Sequence, residues 1–517
     1  MWMDESTGLL PRVGGDRRAK RRALWGALVA LLVLLTIALR IGGAHWRRVA
    51  TGKRNVIFFV TDGMGPASLA MTRAYAEVLQ DAGLGGALHL PDFQVGSSRT
   101  RSSSSLITDS AAGATAFSCA MKTYNNAVGV DPDGVPCGTI LEAAKLQGYL
   151  TGMVVTTRIT DATPAAFSSH VDFRWYEDLI AEHQLGSYPL GRVVDLMIGG
   201  GRTHFYGPQD KKYGNGGSRK DGRNLIEKAV EDGWQYVGDM EEFERLQGGH
   251  NVSLPLLALL ADYDIPFDMD RDASVHPSLE QEMTTAINAL THATKDSDKG
   301  FFLLVEGSRI DHAAHYNDPA AQPKEVLAFD RAFQAAVKFA AESDVETVLI
   351  STSDHETGGL AVGRQTGKAY PDYVWYPEVL RNATHSAEFL AHAMINVPAH
   401  ERQDYVREKV LEKGLGIDYY SEEDVEELSS SRTAGEILDK LARMVSLRAE
   451  IGWSTHGHTG VDVNIYAFAN TASAWNSVHD ALLGNHENVE IGDFMARYLN
   501  LDLSQVTDLI KDTKHSP

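Results

Sequence analysis

The chain has 517 residues, 43% hydrophobic and 23% charged, with a formal net charge of -21. That length supports a large buried core; it matches three average domains, yet open α/β enzymes often reach it as one. Residues 1–50 hold nine Lys/Arg against three Asp/Glu, so this arm carries +6 and the remainder about -27 by subtraction. An acidic body of that kind argues against nucleic-acid binding, whose backbone contribution needs positive charge.

The first element is apolar. Ala23 to Leu39 runs seventeen residues without a charge, directly after Arg17, Arg18, Lys20, Arg21 and Arg22. As a helix it is about 26 Å long, enough for a thin bilayer. The basic cluster predicts a cytoplasmic tail at 1–22, a signal-anchor span at 23–42 and a lumenal or external body, although Arg40, Arg47 and Arg48 on the far side weaken that asymmetry. A cleaved signal peptide competes with this reading, but Ile41-Gly42-Gly43-Ala44 leads into His and Arg residues rather than a processing site. Two sequons, Asn251-Val252-Ser253 and Asn382-Ala383-Thr384, agree with a lumenal body. Cys119 and Cys137 lie eighteen apart across a turn-rich segment. They are either one disulfide of an oxidising compartment or two buried thiols.

Beyond the anchor, Asn55–Val60 (NVIFFV) is a continuous run of β-formers that ends at Thr61-Asp62-Gly63, the pattern of a central strand. Further strands are predicted at Thr151–Thr156, Phe301–Val305, Thr347–Ser351 and Val461–Ala469. Helices are predicted at Cys137–Gln147, Leu279–Ala293, Pro323–Ala341 and Ala434–Val445, with Pro277 and Pro323 at helix starts. Strand and helix alternate over most of the length. The fold class is therefore α/β, an open, largely parallel central sheet with helices on both faces, preceded by a transmembrane helix. The catalytic domain spans 50–500, with an insertion at about 361–445; residues 501–517 form a tail that is polar and poorly ordered from Thr507.

Open α/β sheets bind ligands at the carboxyl ends of their strands. Those ends supply Asp62, Asp161, Thr163, Glu306, Asp354 and His355, and nearby stand Asp311, His315, His456 and His458. Asp311 and His315 are four apart, on one face of a helix, which suits two ligands to one ion. Mixed carboxylate and imidazole donors suit zinc, and the oxygen set Asp62, Thr163 and Glu306 suits magnesium. Taken singly, each residue is equally well a cap or a satisfied polar group. Together, so many carboxylates without cations would repel and desolvate one another. Leu106–Ala116 (LITDSAAGATA) is the second constellation. As a helix start it surrounds the Ser110 hydroxyl with free N–H groups that suit an anion, and its small residues let a substrate come close. Alone, it reads as an ordinary helix cap. Two zinc ions clamping a phosphoryl group would activate Ser110 as nucleophile without a histidine base. Arg174 would meet two phosphoryl oxygens at once.

The tracts TDGMG (61–65), TDSAAGATA (108–116), TDATPAAFSSHVDFR (160–174), VEGSRIDHAAH (305–315), STSDHETGG (351–359) and STHGHTG (454–460) resemble, in content and order, the alkaline phosphatase family, most closely its fungal vacuolar, membrane-anchored members. The resemblance implies that Ser110 is the phosphorylated nucleophile and Arg174 the phosphate-binding arginine. It assigns Asp311, His315 and His458 to one zinc, and Asp62, Asp354, His355 and the approaching Ser110 to a second. It assigns Asp62, Thr163 and Glu306 to magnesium, with Asp161 acting through water. His458 fits the last zinc position, with His456 a neighbour. His312 is the residue of animal forms and Asp161 that of bacterial ones, a mixture that leaves the third ion's identity open. A water-mediated contact from His312 to phosphate is expected, testable by His312→Lys.

The resemblance further implies phosphate monoesters as substrates and inorganic phosphate as product, an alkaline optimum, a homodimer, and a single-pass type II protein of the vacuole membrane with a lumenal catalytic domain. The alternatives are a related hydrolase of phosphodiesters or other esters, which would cleave diesters faster than monoesters, and a tethered binding protein with a degenerate site, which would have lost ligands.

Overall fold

Asn55–Val60 reads as a central strand because both of its faces are apolar, and both faces are covered in the structure. This computed structural model describes residues 50–83, 87–212 and 215–513. The predicted cytoplasmic tail at 1–22 and the predicted span at 23–42 lie outside them. Among the described residues no helix is long and apolar enough to cross a membrane.

The strands are β1 Ala50–Val60, β2 Gln94–Arg99, β3 Leu150–Arg158, β4 Leu196–Gly200, β5 Gln235–Val237, β6 Leu256–Leu259, β7 Phe301–Glu306 and β8 Val345–Thr352. They continue with β9 Glu356–Thr357, β10 Ala361–Val362, β11 Ile451–Gly452, β12 His458–Thr459, β13 Val463–Ala469 and β14 Gly484–Glu487. Ten form one sheet in the order β14-β2-β13-β8-β1-β7-β3-β4-β6-β5. Its pairs are parallel except around β13, which runs against both β8 and β2. The pairs β9–β12 and β10–β11 are small antiparallel ribbons. All five predicted strands are present.

Side chains alternate across the sheet with a period of two. Val56, Phe58 and Val60 join one buried cluster with Phe117, Met153 and Phe302, while Ile57 and Phe59 join another with Leu303, Phe329 and Phe333. Helices Ser110–Ser118, Ile140–Leu146, Ala472–Leu482 and Asn488–Leu499 cover the first face. Leu279–Ala293 and Gln322–Glu342 cover the second. The helix predicted from Cys137 begins at Ile140, because Thr139 and Glu142 form a reciprocal capping box there.

The described residues form one compact unit, and the insertion belongs to it. The insertion is mainly helical, with Ala387–Ile395, Glu422–Ser430 and Ala434–Ala449 packed around Leu390, Leu428 and Leu441. It rests on Met71 and Tyr75 of the helix Pro66–Asp81. The expected poorly ordered tail is a correction: Leu503–Ile510 is a helix capped by Asp502, and it buries Val506 and Ile510 against Ala143. Leu503, Val506 and Ile510 recur at three and four residues, the spacing of an apolar helix face. Cys119 and Cys137 are disulfide-bonded, with Cα atoms 6.0 Å apart.

Candidate active site

β3, β7, β1 and β8 are consecutive in the sheet, and the candidate carboxylates stand at their ends. Register makes those ends level: Val60 lies opposite both Glu306 and Thr352, and Val155 opposite Glu306. Asp62, Asp161, Glu306 and Asp354 are thereby delivered to one crevice by chain direction alone. Gly63 closes the turn after β1 at φ +76°, and a Cβ there would lie 2.6 Å from the Asp311 Cα. Only glycine fits both the backbone and the approach.

Asp311 and His315 share the helix Arg309–His315, with Asp311 Oδ2 3.2 Å from His315 Nε2. β12 brings in His458, whose Nε2 lies 3.1 Å from His315 Nε2 and 3.8 Å from Asp311 Oδ1. His458 Nδ1 faces the Thr108 carbonyl at 2.8 Å, and His315 Nδ1 faces the carbonyl of His456. Each Nδ1 must donate to its carbonyl, which fixes the tautomers and leaves two Nε2 lone pairs and a carboxylate aimed at one another. With both rings neutral every group there is an acceptor, and only a cation, or a proton such as His315 takes up beside Asp311, relieves them. A cation answers that arrangement.

The second group is built the same way. His355 Nε2 stands 3.2 Å from Asp354 Oδ2 and 3.6 Å from Asp62 Oδ1. The Thr357 hydroxyl donates to Asp311 and so accepts from His355 Nδ1 at 3.1 Å, which turns the His355 Nε2 lone pair inward. One ligand atom each from Asp62, Asp354 and His355 fits within 4.8 Å, and so does one each from Asp311, His355 and His458. The His355 and His458 rings stack with centroids 3.5 Å apart, so the two cages adjoin. Asp62 Oδ1 and Asp354 Oδ2 are buried and receive no hydrogen bond. These donors fit divalent cations. Glu306, which accepts from the Ser308 hydroxyl at 2.6 Å, and the buried, unpartnered Thr163 hydroxyl offer an all-oxygen donor set.

The electrostatics follow the burial. Burial and the carboxylates of Asp354, Asp311 and Glu306 hold Asp62 well above the usual carboxylate range. Burial pushes Glu306 up to about 8, outweighing the nearby hydroxyls. Burial works the same way on Asp311 and Asp354, but the imidazoles of His315 and His355 outweigh it and bring both carboxyls down. His315 is lowered by burial yet lifted overall to about 9 by Asp311. His458, desolvated and beside His355, falls to about 4.

Ser110 opens its helix, capped by Asp109, whose carboxylate accepts from Ala112 N. Its Oγ lies 3.1 Å from His355 Nε2, inside the cluster. The small residues after it have a different role from the one expected. Ala111 and Ala114 pack against Ala162, Ala165 and Ala166. A Cβ on Gly113 would lie 2.9 Å from that of Asp354. The run brings the helix close to its neighbours and places Ser110; it does not leave room for a ligand.

Arg174 reaches Asp161 at 3.0 Å and Asp109 at 3.3 Å, which aims its fork across the mouth beside Ser110. Asp161 caps the helix Ala162–Ser168. Burial would raise its carboxyl, but Arg158 and Arg174 hold it well below the ordinary range. Arg158 was not foreseen. It binds Asp161, Glu177 and Asp264 at 3.1, 2.8 and 2.6 Å and keeps the Asp161 carboxylate in place. An arginine three residues before Asp161 was the available signal. Thr357 and Asp264 were also missed, and their contacts reach 46 and 106 residues along the chain, beyond any local motif. His312 packs between Arg309, at 3.3 Å, and Asp264, at 3.7 Å. His456 turns Nε2 to Asp439 at the surface and Nδ1 to the His315 carbonyl at 2.8 Å, while its own carbonyl faces His315 Nδ1.

The arrangement is that of a hydrolase acting on phosphoryl groups, and comparison with known proteins narrows the class. The chain belongs to the alkaline phosphatase family, whose sequence profile matches residues 53–501. It is 56% identical to the repressible alkaline phosphatase of Saccharomyces cerevisiae, covering 99% of this chain and 94% of that protein. It is 46% identical to an alkaline phosphatase of Schizosaccharomyces pombe, over 98% of this chain and 94% of that one. Among solved structures, a cold-active alkaline phosphatase from a psychrophilic Shewanella matches with a TM-score of 0.70 and 29% identity, over 86% of this chain and 99% of that one.

A carboxyl whose folded pKa exceeds its ordinary value stabilises below the ordinary value and loses that contribution as pH rises through the folded one. For Glu306 the window runs from 4.5 to about 8. In chelator, the melting temperature of the wild-type chain should fall across this window more steeply than that of Glu306→Gln, and thermal scans at stepped pH measure both. Parallel curves would show that Glu306 carries no such burden.

Proposed function

We propose that the chain hydrolyses phosphate monoesters through a phosphoserine formed on Ser110, at a site that holds two zinc ions and one magnesium ion. Asp311, His315 and His458 would hold the first zinc, and Asp62, Asp354 and His355 the second. Asp62, Thr163 and Glu306 would hold magnesium, with Asp161 reaching it through water. When bound, these ions lower the pKa of Ser110 and of water and neutralise charge on the phosphoryl group.

The residues of the chain do the rest. The free N–H groups at the start of the helix Ser110–Ser118 and the Arg174 fork hold the phosphoryl oxygens. The fork takes two non-bridging oxygens and the helix start a third; a monoester offers three and a diester only two, which favours monoesters. Ser110 Oγ bonds to phosphorus as the ester oxygen departs with the alcohol. Water then displaces Ser110, releasing inorganic phosphate and restoring the hydroxyl. No Ser–His–carboxylate relay is present in support of Ser110, because His355 Nδ1 faces a threonine. The observation that carries this reading is the Ser110 hydroxyl 3.1 Å from His355 Nε2, within the carboxylate–imidazole cluster.

The same reading has the catalytic domain in the vacuole lumen, anchored by 23–42 as a single-pass type II protein and paired with a second copy. The Cys119–Cys137 disulfide supports an oxidising compartment. The exposed sequon asparagines Asn251 and Asn382 support glycosylation. In sealed vacuoles, external protease should remove the N-terminal tail and spare a glycosidase-sensitive dimeric body; digestion of the body from outside would overturn the topology.

Ser110→Ala should lower turnover of 4-nitrophenyl phosphate by about 10³-fold or more. It should also abolish the acid-stable phosphoenzyme that wild-type protein forms with labelled phosphate. Near-normal turnover in that variant would refute the phosphoserine route.

A further inference from the structure

Ser110 and Arg174 seat the phosphoryl group but leave the alcohol half of the ester without a contact. Large apolar side chains stand exposed around this seat: Leu106 and Ile107 before Ser110, Val461 beyond His458, and Phe173 and Trp175 on either side of Arg174. Phe173 turns its ring to Tyr176, with centroids 5.7 Å apart. Trp175 instead meets the seat itself, its ring centroid 5.5 Å from the guanidinium carbon of Arg174. Trp175 is 58% exposed, so the residue stands largely open beside the cation.

The segment is held firmly. Arg174 N donates to the Asn126 carbonyl at 2.9 Å, and Tyr176 N to the Phe173 carbonyl at 3.1 Å. Attraction between the guanidinium and the ring further restricts the Trp175 rotamer. An ester oxygen on a phosphoryl group gripped by Arg174 is one bond from phosphorus, so the alcohol leaves the seat within a few bonds of that ring. A planar group there stacks on indole at little entropic cost, whereas a short polyol offers it no face.

We infer that Trp175 is a specificity-determining platform for the leaving group, favouring monoesters of planar aromatic alcohols over those of small aliphatic ones. The inference rests on the reading of Ser110 and Arg174 as the phosphoryl seat. Planar aromatic groups reach such a site either as aryl esters or as nucleosides, whose base stands one ribose away.

The experiment compares kcat/KM for 4-nitrophenyl phosphate, adenosine 5′-monophosphate and glycerol phosphate in the metal-loaded wild-type chain, Trp175→Ala and Trp175→Phe. In Trp175→Ala the ratio of aromatic to glycerol ester should fall by about five- to tenfold, the low end of the range for stacking on one aromatic side chain. The fall should appear in KM, and Trp175→Phe should recover most of it. A fall confined to 4-nitrophenyl phosphate identifies a platform for aryl groups on the ester oxygen; one shared by the nucleotide identifies a platform that reaches across the ribose. An unchanged ratio overturns the inference. So does an equal fall for all three esters, with weaker inhibition by inorganic phosphate to match, which would make Trp175 a positioning residue for Arg174. Failure of the underlying reading is distinguishable, since Ser110→Ala would then keep near-normal turnover of all three esters.

Discussion

Four carboxylates that ought to repel one another govern this structure. Asp62, Glu306, Asp311 and Asp354 are buried within one crevice, and the cost shows in Asp62 and Glu306, both held far above their ordinary range. Like charges in a desolvated site persist only where positive charge or protons offset them. Here His315, His355 and His458 bring imidazole nitrogens as further acceptors, each turned inward by a hydrogen bond from its own Nδ1. A fold that invests backbone carbonyls and a threonine in orienting lone pairs toward carboxylates is organised around cations.

The rest of the architecture serves that convergence. Parallel strands with level ends bring the acids together, and Gly63 and Gly113 let the Asp311 helix and the Ser110 helix come within contact of the strand ends. On the other side of the mouth the balance is reversed. Arg158 and Arg174 surround Asp161 and hold it ionised, so this acid is compensated by guanidinium groups, whereas Asp311 and Asp354 face imidazoles. Arg174 is thus positioned by two carboxylates before any phosphate arrives, and a pre-organised fork of this kind loses little freedom on binding.

Much of this was legible in the sequence, because the chemistry sits in local motifs at predictable places. NVIFFV followed by an aspartate, Asp311 and His315 one helical turn apart, and Asp354 beside His355 each announce a strand end or helix face. The rest depended on long-range contacts. β2 and β14 carry Gly, Ser, His and Asn, and their strand state comes from the sheet edge they complete beside β13. Asp264 and Thr357 act on residues far along the chain. The Ala/Gly run after Ser110 was read as space for a ligand, and only the neighbouring helix Ala162–Ser168 reveals it as packing. The last turns of the chain looked polar because Leu503, Val506 and Ile510 are diluted by Ser, Gln, Thr and Asp on the solvent side.

The central claim is that the carboxylate–imidazole cluster exists to hold metal. Elemental analysis of the purified full-length chain, taken together with its phosphatase activity, tests it most directly. The account predicts two zinc ions and one magnesium ion per chain, with activity lost on chelation and regained on adding both metals back. Full activity in a protein carrying less than one divalent ion per chain would contradict it.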